Sequence, residues 1–168
     1  MFSIGDKVIY KHSGVYTVDA IETPSFVKDS SVLYYRLSHT FSNAKETVYV
    51  PCDSDCTVRL ITEKSVFLSL LNDTKNTEVS PFLARQPQMI AEHYKNILSD
   101  NTLLSALKVM KELLIREKEC DESGKKLRQA EGHYLNLTEK SLCEEYCVAS
   151  DLIDFLNTSP TAFHAVGK

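Results

Sequence analysis

Five glycines in 168 residues leave little backbone for a phosphate-cradling loop, and no GxGxxG, Walker A, GxSxG or HExxH element appears anywhere in the chain. Nucleotide-dependent and hydrolytic chemistry therefore lack the residues they need. No apolar run approaches the roughly 18 residues of a membrane span, and Met1-Phe-Ser-Ile-Gly-Asp6 lacks the basic and apolar regions of a secretory signal. A cytoplasmic chain without membrane contact is expected. A basic excess is missing too: the net charge is -4, with six bases against seven acids over residues 1–62 and thirteen against sixteen over 63–168. Neither part has the overall charge of a protein that holds DNA through phosphates alone. The five cysteines, an odd number, suit reduced thiols better than a disulfide framework. Cys52/Cys56 and Cys143/Cys147 fall in different segments at a spacing that structural zinc sites do not favour, so neither a metal nor a cofactor is expected.

What is present divides near residue 62. From Lys7 to Ile61 apolar residues recur with period two, the alternation that sends side chains to opposite faces of a strand. Strands are expected near 7–11, 15–22, 32–38, 46–50 and 57–61. Leu33, Tyr35, Leu37, Val48, Val50, Val58 and Leu60 should face inward, with Tyr34, Arg36, Tyr49 and Arg59 outward. His12-Ser13-Gly14 reads as a turn, and Pro24-Ser25 with Lys28–Ser31 as a longer hairpin connection. About 60 residues of short strands suggest a Tudor-like or SH3-like small barrel.

Beyond Ile61 the period becomes helical. Thr62 is a cap for a helix over 63–71, residues 72–77 read as a loop, and Ser80-Pro81 opens a segment that Pro87 should end or kink. A helix over 88–98 is followed by one capped at Ser99 or Asp100, with Leu103, Leu107, Met110 and Leu114 as its apolar stripe. Gly124 should break the charged stretch 117–130, leaving a short helix that ends at Gly132. A last helix starts at Asn136 or Thr138 and buries Leu142, Tyr146, Ala149, Leu152 or Ile153, and Leu156. The fold class is thus a β + α two-domain chain: a small barrel over 1–62, an all-α domain over 63–160 and a frayed tail over 161–168. Between positions 108 and 128 seven bases meet five acids, a mixed run that by itself is a weak nucleic-acid footprint.

Phe2-x-x-Gly5-Asp6-x-Val8-Ile9-Tyr10, His12-x-Gly14-Val15, Ile21-Glu22, Tyr34-Tyr35-x-Leu37, Val48-x-Val50-Pro51 and Val58-Arg59 together resemble the CarD and transcription-repair-coupling-factor type of RNA-polymerase-interacting regulators. Leu98–Asn101, the helix through Leu107–Leu113 and Leu137–Lys140 fit that family's helical part by pattern. The resemblance implies a non-enzymatic transcription regulator whose barrel docks on the RNA polymerase β subunit, partly by strand-edge addition, with Pro24, Thr47, Tyr49 and Pro51 at the contact. It also implies a helical domain that touches promoter DNA weakly and only on the polymerase, with Arg85, Lys95, Lys108 and Lys111 near phosphates. Relatives often carry Arg at the positions of Pro24 and Tyr49, and a Trp wedge in the DNA minor groove. This chain has no Trp, and Phe82 is the nearest aromatic to that place. The alternative is an adaptor whose helices bind a second protein and never meet DNA. No small-molecule substrate is expected on either reading.

Overall fold

The computed structural model describes residues 1–27, 32–42, 47–54 and 57–150. Five strands, β1 (Lys7–Tyr10), β2 (Val15–Glu22), β3 (Tyr34–His39), β4 (Thr47–Pro51) and β5 (Val58–Leu60), form one antiparallel sheet in the order β4-β3-β2-β1-β5. Four helices follow: α1 (Lys64–Asn76), α2 (Pro87–Ile97), α3 (Leu103–Glu122) and α4 (Gln129–Ala149), with a 3₁₀ turn at Leu98–Asp100 between α2 and α3.

β1 and β2 are joined by a tight turn in which Lys11 and His12 both take positive φ (45° and 57°) and Ser13 N–H closes on Tyr10 O at 2.8 Å. Two successive left-handed residues match the twist of a hairpin. Gly14, the expected site of the positive φ, adds a third at 127°. The register of β2 on β3 shifts between Val18 and Ala20, so Asp19 bulges out and the alternation of β2 changes phase there.

Val8, Tyr16, Val18, Tyr35, Leu37 and Val50 form the core of the sheet unit, with Val48 and Val58 packed against it. Two expected core positions lie outside. Leu33 and Leu60 are 48% and 58% exposed. Leu60 ends β5 and Leu33 immediately precedes β3, so the alternation continues in sequence while, among the described residues, both side chains stay exposed. Ile9 and Val15, directly opposite each other on β1 and β2, are fully buried although they belong to neither hydrophobic core. With Arg59 beside Ile9 on β5, they form the face on which the helical unit sits.

The helical core gathers Phe67, Ile90, Tyr94, Leu103, Ala106, Leu107, Val109, Leu113, Leu135 and Leu142. Several sequence expectations shift here. α1 runs through 72–76, where Thr74 is buried and its hydroxyl donates to Leu70 O, satisfying polar atoms that read as loop signals. Pro87 starts α2 at a position where its missing N–H costs nothing, and residues 81–86 are not helical. The cap of α3 is Thr102, whose hydroxyl accepts from Ser105 N–H, in place of Ser99 or Asp100. The buried stripe of α3 passes through Leu113, leaving Leu114 43% exposed and Met110 half-buried. Gly124 does end α3, with φ 65°. No helix ends at Gly132, which lies inside α4. That helix begins seven residues before Asn136, because Glu131 turns back to accept from Arg128 N–H at 2.7 Å and so satisfies the first turn. Leu152, Ile153, Leu156 and the tail 161–168 lie outside the described residues, as does Cys56.

Candidate functional site

β4 is one edge of the sheet. In the antiparallel register Cys52 N–H donates to Leu33 O at 2.9 Å, and Tyr34↔Pro51, Tyr35↔Val50, Arg36↔Tyr49 and Leu37↔Val48 follow in step. Hydrogen-bonded and non-hydrogen-bonded pairs alternate along such a ladder. Val48 and Val50 therefore spend their backbone groups on β3. Thr47 and Tyr49 turn both backbone groups to the open side, and Pro51 presents only a carbonyl there. Thr47 is exposed; Tyr49 and Pro51 are half-buried.

The outward face beside this edge carries aromatic side chains around the Arg36–Glu22 ion pair. Phe26, 68% exposed, meets the Tyr49 ring edge-on at 5.4 Å between centroids. Arg36 Nη1 donates to Glu22 Oε1 at 3.1 Å and Tyr49 OH to the same oxygen at 3.5 Å. Pro24 offers no surface: it is buried, and its carbonyl accepts from Val27 N–H as the chain turns. Phe26, two residues on, is the exposed apolar side chain of this turn. Period-two reasoning had no reason to find Phe26, because it lies in a turn.

In the helical unit, Phe82 is half-buried and stacks flat on His93 at 4.0 Å, while its N–H donates to Glu112 Oε1 at 2.7 Å. Tyr94 OH donates to the same buried carboxylate at 3.1 Å, and burial together with that charge pushes the phenol well above its ordinary range. The ring of Phe82 is thus engaged in packing. Leu83, 68% exposed, is the apolar side chain presented next to it. Arg85, Lys95 and Lys108 are exposed. Lys111 is not available: its ammonium donates to Thr74 O, Lys75 O and Thr77 O, closing the C-terminus of α1, where the helix leaves carbonyls unsatisfied. Arg128 reaches across to Ala84 O and Arg85 O, which brings the loop bearing Lys125 and Lys126 to the same end of the unit as Leu83 and Arg85.

A third constellation joins the two units, and sequence reasoning missed it. Glu144 and Glu145 are consecutive on α4 and buried. Glu145 accepts both arms of the Arg59 guanidinium, Nη1 at 2.6 Å and Nη2 at 2.7 Å, and Thr62 N–H at 3.0 Å. Arg59 Nε donates to Asn101 O at 2.6 Å, and Asn101, in left-handed conformation, donates its side-chain amide to Thr57 O. Arg59 does point away from the sheet core, as alternation requires, but into α4 and not into water. His12, 2% exposed, hydrogen-bonds through Nε2 to Leu98 O at 3.2 Å; burial and the Arg59 charge hold its pKa below the ordinary imidazole value. Glu144 accepts from Val15 N–H at 2.8 Å with His39 Nε2 at 3.5 Å. The sequence signal was two adjacent carboxylates amid Leu142, Cys143, Tyr146 and Cys147 on a helix face that packing had to cover. The two thiols carry no such chemistry: burial pushes Cys143 up to about 12 and Cys147 upward as well.

Gly14 shows how close the units approach. A Cβ there would lie 2.2 Å from Glu144 Oε2 and 2.8 Å from His39 Nε2, on a backbone of φ 127°. Gly14→Ala is expected to destabilise the chain by about 1–3 kcal/mol through overpacking and backbone strain, read as a lowered urea midpoint. A midpoint within error of the parent would show that the seam yields freely.

No curated protein matches the chain. Residues 2–61, the whole sheet unit with its open β4 edge, match the family model described as the CarD-like/TRCF RID domain. The matched span takes in all five strands of the sheet, and by it residues 2–61 of this chain are similar to the CarD-like/TRCF RID domain.

Proposed function

We propose that this protein is a non-enzymatic transcription regulator that adds a strand of the RNA polymerase β subunit to the β4 edge and modulates promoter open-complex stability through its helical unit. The observation that carries the reading is the edge position of β4 within a family-matched domain: among the described residues Thr47 and Tyr49 turn backbone groups away from β3 with no strand beside them, and Phe26 and Tyr49 flank them with apolar surface. Main-chain pairing supplies affinity, and the aromatic flank supplies choice of partner.

On the DNA side, Arg85, Lys95 and Lys108 are the exposed cations of the original set, with Leu83 as the exposed apolar group beside Phe82. With a net charge of -3 over residues 63–168, the free protein should hold duplex DNA no more tightly than non-specific binders, on the order of 10⁻⁴ to 10⁻⁶ M at physiological salt. Tethering to polymerase raises the local concentration and removes the need for strong phosphate affinity.

The test is the lifetime of the promoter open complex with parent protein, Phe82→Ala, and the Arg85→Ala/Lys95→Ala double variant. The parent is expected to alter the lifetime and the double variant to lose most of that effect while still binding polymerase. If neither variant changes the lifetime although polymerase binding persists, the helical unit does not act on DNA through this surface. The adaptor reading then stands, with α2 and its neighbours binding another protein.

A further inference from the structure

We propose that docking of the sheet unit onto the helical unit takes up one proton at the Glu144 carboxyl, so that raising the pH loosens the seam between them. The inference rests on what surrounds that carboxyl and is independent of what either unit binds.

Glu144 projects from α4 into the β1–β2 turn. Its side chain is 6% exposed, and that of His39, facing it from β3, is 8% exposed. Oε2 receives Val15 N–H at 2.8 Å and lies 3.5 Å from His39 Nε2, while Gly14 closes the remaining side so tightly that no Cβ fits. Charge compensation among the described residues is poor. Phe41 N–H donates to His39 Nδ1 at 3.2 Å, so that nitrogen is an acceptor and turns no donor to Glu144. Lys140 is 3.9 Å from Oε1 but 60% exposed, and water screens it. From α4, the Cys143 and Cys147 thiols stay neutral, and the neighbouring Glu145 carboxylate is committed to Arg59. Tyr16 lies edge-on against His39 at 4.9 Å and adds only apolar surface. Among the described residues, an ionised Glu144 at the seam thus has one amide as a hydrogen-bond donor and little exposure to water.

Separated, the same side chain would stand on an open helix face with the ordinary carboxyl value near ~4.3. Docked, burial raises it to about 7, against the smaller opposing pull of Val15 N–H and Lys140. The docked form therefore holds a proton that the separated form has released between those two values. A group whose docked value is raised contributes fully at low pH, and its contribution disappears as the pH rises through about 7. From pH 6.5 to 8 the separation equilibrium should become about fourfold more favourable on account of this one group.

Val15 N–H reports the seam directly, because it donates across the seam to Glu144. In the full chain, the Glu144 carboxyl ¹³C shift is expected to titrate with a midpoint near neutrality. The ratio of Val15 amide-exchange protection in the parent to that in Glu144→Gln is expected to fall about fourfold between pH 6.5 and 8. The glutamine keeps an acceptor for Val15 and binds no proton. A carboxyl midpoint in the ordinary range, or a ratio that is flat with pH, overturns the proposal. So does an equal fall at Leu37 and Leu113, amides within each unit, since proton release would then belong to unfolding and not to docking. Should Glu144→Gln fail to fold, the carboxyl midpoint and the Val15-to-Leu37 protection ratio in the parent decide alone.

Discussion

Arg59→Ala is expected to lower stability by about 3–5 kcal/mol, the loss found when one partner of a buried ion pair is removed and the other is left behind. For a chain of 168 residues at roughly 2–4 °C per kcal/mol, the melting midpoint should drop by about 10 °C in calorimetry. Glu145 has no exposed side-chain surface and, without the guanidinium, keeps only Thr62 N–H. Asn101 O loses its donor in the same step. The size of the effect separates burial from simple attraction: an exposed bridge of the same geometry contributes less than about 1 kcal/mol. An Arg59→Met/Glu145→Leu double variant should recover most of the loss, because it removes both charges together and refills the space with apolar atoms. A single-variant loss below about 1 kcal/mol would mean that water reaches Glu145, and that this ion pair does little to hold the two units together.

Tyr49→Pro is expected to weaken binding to the polymerase β subunit by up to about tenfold, and Phe26→Asp by about thirtyfold, in a titration against the isolated subunit. The two substitutions probe different things. Tyr49 directs its N–H away from β3, so proline there removes an outward donor without taking a rung from the existing ladder, and edge strands accept proline. Proline at Val48, by contrast, would break the β3–β4 ladder and confuse folding with binding. Phe26→Asp places a charge in the aromatic flank next to Tyr49 and leaves the backbone untouched. Tyr49→Ala completes the set, since it keeps the N–H and removes the ring. If the proline variant binds like the parent while Phe26→Asp does not, the partner is held by side chains and does not extend the sheet.

The strands and the α3 helix were legible because their signals are local. Period two from Lys7 to Ile61 and the Leu103–Leu107 spacing report which side of an element is dry, whatever lies opposite. The same locality explains the errors. Leu33 and Leu60 obey the alternation yet lie at strand boundaries and stay exposed, and the Asn72–Asn76 polar residues remain helical because Lys111, 35 or more positions away in sequence, ties down the end of α1. Pro24 is buried and Phe26 exposed, which could not be foreseen because a turn carries no period from which exposure can be read.

The sequence by itself determined the change from strands to helices after residue 61 and the likeness of residues 2–61 to the CarD-like/TRCF RID domain, since hydrophobic periodicity and an ordered string of short motifs are properties of neighbours along the chain. Only the tertiary structure decided that Arg59, outward on β5, finds Glu145 86 positions later, and that Glu144 closes on Val15 across 129. A carboxylate on a helix reads as solvated surface until another element excludes the water, and desolvation depends on what is near in space, which residue order does not contain.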